Sequence, residues 1–106
     1  MDPRTLRRNF YAGLMSGLRV VWPILSGLIV LMISLGLLVG LVEGWSIQDS
    51  LYFSFVSGLT IGFGDLVPKT LLTRALAIAI GVSGVLATAL IAAIAVKALT
   101  AAQDDG

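Results

Sequence analysis

Thr60-Ile61-Gly62-Phe63-Gly64-Asp65 stands between two long apolar runs and continues as Leu66-Val67-Pro68. Gly62 and Gly64 can take positive φ at little cost. Alternate residues can therefore leave ordinary backbone space, and successive carbonyls can point to one side. Such a ribbon presents carbonyl oxygens of moderate field, which replace the water around a cation and still let it leave. Ile61 and Phe63 can send their side chains back into packing, and the Thr60 hydroxyl adds one more oxygen. The stretch is predicted to line a pore and strip water from a cation.

The rest of the chain gives it a setting. Of 106 residues 58% are hydrophobic, and the mean hydropathy is +1.01. A soluble domain this small could not bury so much apolar surface. Val20 to Val42 and Ala75 to Val96 are free of charge. At 1.5 Å per residue each gives ~33 Å, enough to cross a bilayer. Trp22 and Trp45 bracket the first run at the depths where indoles settle. Pro23 suits a first helical turn, so the outer helix is expected over about 20–43, with a bend where it begins.

Residues 1–19 carry Arg4, Arg7, Arg8 and Arg19, with Leu6, Phe10, Leu14 and Leu18 every fourth residue. This predicts a separate cytoplasmic segment, an amphipathic helix lying in the membrane interface. Ser46 and Asp49 have capping-box spacing, opening a short helix of about 46–59 that holds Tyr52, Phe53 and Phe55. Its ~20 Å is too short to cross, so it reads as a re-entrant helix leading into the 60–65 stretch. Thr73 is expected to cap an inner helix of about 71–100, rich in Ala and Gly and so open to close helix packing. Residues 101–106, with Asp104 and Asp105, read as a cytoplasmic tail. The four arginines before the first run, against Lys69 and Arg74 in the connection, put both termini in the cytoplasm.

One copy of the stretch supplies one side of a carbonyl ring. A closed ring needs a four-fold arrangement, so the chain is expected to form a homotetramer. The short helix would then point the negative end of its dipole at the pore's inner cavity, which favours cations. With no cysteine or histidine in the chain, thiolate chemistry and the commonest general base are excluded.

The segment Asp49-Ser50-Leu51-Tyr52-Phe53-Ser54-Phe55-Val56-Ser57-Gly58-Leu59-Thr60-Ile61-Gly62-Phe63-Gly64-Asp65-Leu66-Val67-Pro68 resembles the pore loop of potassium channels. Arg74 with the second apolar run resembles the inner helix that follows it. The resemblance covers residues 20–100 and implies an all-α membrane protein: two transmembrane helices, a re-entrant pore helix and an extended selectivity filter, in a homotetrameric channel. It implies potassium ions held by the carbonyls of Thr60, Ile61, Gly62 and Phe63 and by the Thr60 hydroxyl, with Gly64 completing the filter. Asp65, Tyr52, Phe53 and Val56 would support it from behind, Tyr52 as a hydrogen-bond donor to Asp65. Gly84, or alternatively Gly81, falls where the family's inner helix has its gating hinge. Val85, Thr88 and Ala92 would face a water-filled cavity.

There are departures from the family pattern. Ile61 and Phe63 stand where Val and Tyr are usual, Phe53 where many members have Trp, Leu59 for a common Thr, and Val56 for a Glu. Phe63 cannot donate a hydrogen bond, so apolar packing is expected to replace a polar tether. The implied function is passive potassium conduction in a plasma membrane, with potassium ions and lipids as partners. No cofactor, enzymatic activity or nucleic-acid partner is expected. A non-selective cation channel of the same fold is the alternative.

Gly62-Phe63-Gly64-Asp65 also matches the GxGD motif of intramembrane aspartyl proteases. That chemistry needs two carboxylates sharing a proton. Asp2, Glu43, Asp49, Asp104 and Asp105 all lie outside the apolar runs, so the protease reading fails. A bare helical hairpin would leave residues 46–68 unexplained. A voltage sensor needs further membrane helices with repeated arginines, and neither apolar run carries them.

Overall fold

The computed structural model describes residues 2–104. Three helices follow in order: α1 (Pro3–Glu43), α2 (Ile47–Gly58) and α3 (Leu71–Asp104). Two of them, α1 and α3, are long and apolar enough to cross a membrane. α1 runs unbroken from Pro3 to Glu43, with Pro23 inside it rather than at its start. Ser16-Gly17 and Pro23 could have marked a break, but both lie inside the helix. α3 likewise runs past residue 100 into the expected tail, while Asp105 and Gly106 lie outside the described residues.

The helices close into two compact units. One joins the chain up to Leu25 with the chain from Ala89; the other is Ser26–Thr88. In the central unit Met32, Val39, Phe53 and Ile80 form a buried cluster, with Leu35, Trp45, Leu66, Leu76 and Ala77 against it. Trp45 meets Phe53 edge to face, ring centroids 5.1 Å apart. A small-residue seam fixes α2 on α1. Gly36 and Gly40 are one turn apart, and a Cβ at either would collide with the hydroxyl of Ser54 or Ser50. Both serines are buried and satisfied, each hydroxyl donating to the carbonyl one turn back, at 2.8 Å for Ser50 and 2.9 Å for Ser54. Without hydrophobic force between helices in lipid, this close packing is what holds them.

In the terminal unit residues 3–25 of α1 pack along 89–104 of α3. Ile94, Ala98 and Ala102 are buried there, at helical spacing on one face of α3.

Candidate functional site

Ser46 caps α2, its hydroxyl accepting from the Asp49 amide at 3.1 Å. The far end of α2 is held from two sides. Met32 of α1 sits over Gly58, and a Cβ on Gly84 of α3 would collide with the Gly58 carbonyl. α2 therefore delivers the chain into the 60–65 stretch from a fixed point.

The stretch then leaves regular structure. Its amides turn back to the last turn of α2: Thr60 N to Ser57 O at 3.1 Å, Ile61 N to Val56 O at 2.9 Å and Gly62 N to Val56 O at 3.3 Å. Positive φ recurs at every second residue: 61° at Thr60, 57° at Gly62 and 83° at Gly64. For the glycines this costs little; for a β-branched threonine it is rare and strained. Among the described residues, none of the carbonyls of Thr60, Ile61, Gly62, Phe63 and Gly64 accepts a hydrogen bond. The Thr60 hydroxyl donates to the Leu59 carbonyl at 2.6 Å. The result is a run of unpaired carbonyl oxygens on an exposed ribbon.

Behind the ribbon a cavity of about 30 Å³ is lined by Tyr52, Phe53, Val56 and Asp65 together with Gly62 and Phe63. This is the volume of a single water. Partial desolvation pushes the Tyr52 phenol up, and the nearby Asp65 carboxylate adds to the rise. Phe53 is buried under Trp45, whereas Phe63 is 67% exposed and Ile61 is 49% exposed within the chain. The apolar packing expected for Phe63 is not supplied by its own chain.

On α3 Gly84 is buried against Gly58, while a Cβ at Gly81 would meet nothing within 4 Å. Val85 and Thr88 are exposed, the Thr88 hydroxyl donating back to Gly84 O at 2.9 Å. Ala92, in the terminal unit, is exposed as well.

One residue has a structural role that its position in the sequence did not assign. Glu43 lies just past the apolar run, at the end of α1 where the helix dipole disfavours a carboxylate. It accepts from the Lys69 amide at 2.8 Å, the Thr70 amide at 3.3 Å and the Thr73 hydroxyl at 2.6 Å. These donors belong to the start of α3, where the dipole favours a negative charge. The Thr73 hydrogen bond, then that of Lys69, holds the Glu43 carboxyl below its ordinary value. The helix cap is Thr70 rather than Thr73: the Thr73 amide donates to the Thr70 hydroxyl at 3.1 Å, and Thr73 returns a bond as third residue of the helix. An acid at a helix C-terminus was the legible signal for Glu43; its partners, 26 to 30 residues away, were not.

Comparison with known proteins follows the same lines. Potassium channel subfamily K member 13 of Homo sapiens is 73% identical over 26 residues, 24% of this chain and 6% of that protein. Member 12 of Rattus norvegicus matches with the same identity and coverage. Member 17 of Homo sapiens is 43% identical over 44 residues, 42% of this chain and 13% of that protein. The matches thus span a small part of these relatives. No solved structure matches significantly. The family model described as "Ion channel" matches residues 21–101, well over half of the chain, and the protein accordingly belongs to this ion-channel family.

Proposed function

We propose that the chain is one subunit of a homotetrameric, potassium-selective channel, in which α2 is a re-entrant pore helix and Thr60–Gly64 a selectivity filter. The observation that carries this reading is the alternation of positive φ at Thr60, Gly62 and Gly64 with every carbonyl of the stretch unpaired. Ions take the place of the missing donors, and copies around a four-fold axis close each carbonyl layer. The short relatives, which are potassium channels by name, agree with potassium as the cargo.

Several other features fit. Tyr52, Phe55, Leu59, Ile61 and Phe63 are all exposed within the chain, and a neighbouring copy would cover them. Tyr52 and Asp65, with the water-sized cavity between α2 and the ribbon, brace the filter from behind. In the proposed tetramer Val85 and Thr88 line the cavity, toward which the C-terminal end of α2 turns its negative dipole. The membrane is a plasma membrane, with both termini cytoplasmic.

Purified protein in planar bilayers, with potassium on one side and sodium on the other, tests this. The reversal potential is expected to follow the potassium gradient. Comparable permeability of the two ions would favour the non-selective cation channel instead.

A further inference from the structure

Residues 3–20 precede the family match, which begins at residue 21. Yet they are built for contact. Gly13 and Gly17 are one turn apart on α1 and face α3. A Cβ at Gly13 would stand 3.2 Å from the Ala98 Cβ, and one at Gly17 2.8 Å from the Ile94 Cγ2. Ile94, Ala98 and Ala102 are 9%, 3% and 1% exposed, so this face of α3 is sealed by α1 alone. A groove of about 450 Å³ opens along the seam, with Gly13, Gly17, Ile94 and Ala98 among its walls together with Val20 and Lys97. Contact at the seam is thus confined to the narrow line of Gly13 on Ala98 and Gly17 on Ile94.

A second face of the same stretch is free. Ala92, Val96 and Leu99 follow one another at helical spacing, with Val96 66% and Leu99 44% exposed. At 3.6 residues per turn this face lies ~125° around α3 from the seam. An outward push at the seam therefore moves the end of α3 partly toward the side of Val96 and Leu99.

We propose that residues 3–25 are a clasp that sets the position of the end of α3 and, through Val96 and Leu99, the width of the pore's inner mouth. This rests on the channel reading above. The Gly13–Gly17 seam sets how far α3 stands back. A side chain in the seam acts as a wedge and closes the mouth.

The test uses full-length protein in planar bilayers. Gly17→Ala puts a methyl against Ile94 and is expected to lower open probability by about fivefold or more, with unitary conductance and reversal potential unchanged. Adding Ile94→Ala removes the opposing methyl groups and restores the wild-type open probability. The chain has no cysteine, so Gly13→Cys with Ala98→Cys forms a single thiol pair near disulfide spacing. Oxidation is expected to link the pair within one chain and to change open probability, and reductant to reverse it. Open probability unchanged in Gly17→Ala, failure of Ile94→Ala to restore it, or no intrachain link would overturn the clasp. If the alanine variant does not assemble, the thiol pair decides. A wild-type protein that conducts no ions would overturn the channel reading and the clasp with it; wild-type conduction with wild-type gating in the variants overturns the clasp alone.

Discussion

At the scale of single residues, two glycines on α3 separate cleanly. Gly84 is pressed onto Gly58 of α2, so its missing side chain is explained by packing. Gly81 has open space around it and no such reason. Gly84→Ala is expected to lower stability by ~1–3 kcal/mol, the cost of overpacking a tight contact. Gly81→Ala is expected to raise it by ~0.5–1 kcal/mol through helix propensity. Thermal unfolding of the detergent-solubilised protein checks both, and the opposite order would refute the packing assignment. Since Gly58 lies two residues before Thr60, the Gly84 variant should also disturb conduction. Gly81 is the better-placed of the two for a bend. Thr60 is the other telling residue: a threonine at φ 61° is held there by its neighbours, not by preference.

Between elements, Glu43 joins the end of α1 to the start of α3, across the return from the 60–65 stretch. The carboxylate satisfies two amides and a hydroxyl that lie beside the Thr70 cap. Its pKa is lowered in the folded chain. The link is therefore fully present above the ordinary carboxylate value of 4.5 and is lost as pH falls through the lower folded value. Wild type is expected to be more stable than Glu43→Gln at neutral pH, with the two melting temperatures converging in acid. Parallel melting curves across that range would refute an ionised link. The seam of Gly36 and Gly40 on Ser54 and Ser50 does for α2 what Glu43 does for α3: it ties a short or late element to the long first helix.

For the whole molecule, most apolar surface remains uncovered by the single chain. The most apolar windows of α1 and α3 are only 28% and 22% buried. Lipid accounts for part of that surface, and the proposed assembly for the rest. Native mass spectrometry in mild detergent is expected to find four times the 11.1 kDa chain mass. Phe55→Ser, on the exposed side of α2, should shift the population toward smaller species while leaving helix content intact. A monomer for the wild type, or an undiminished tetramer for the variant, would count against that surface as the subunit contact.

Much of this was legible in consecutive residues. Two charge-free runs of spanning length announce two apolar helices, and Ser46 with Asp49 announces the start of α2. Gly62 and Gly64 mark where the backbone can turn, and both do. These are local properties: hydropathy, length, capping and φ tolerance act within a few residues. Other features depend on what lies opposite. The spacing of Leu6, Phe10, Leu14 and Leu18 is the same for a helix lying on lipid and for one packed on α3. That Gly13 and Gly17 meet Ala98 and Ile94, more than 75 residues along the chain, cannot be read from that spacing. Glu43 finding Thr73, and Gly84 finding Gly58, are decided the same way. In the 60–65 stretch the sequence by itself determined that the backbone could alternate. That Thr60 joins the alternation, with every amide from Thr60 to Gly62 tied to α2 and every carbonyl left unpaired, was decided only by the tertiary structure, because the end of α2 had first to be held between Met32 and Gly84.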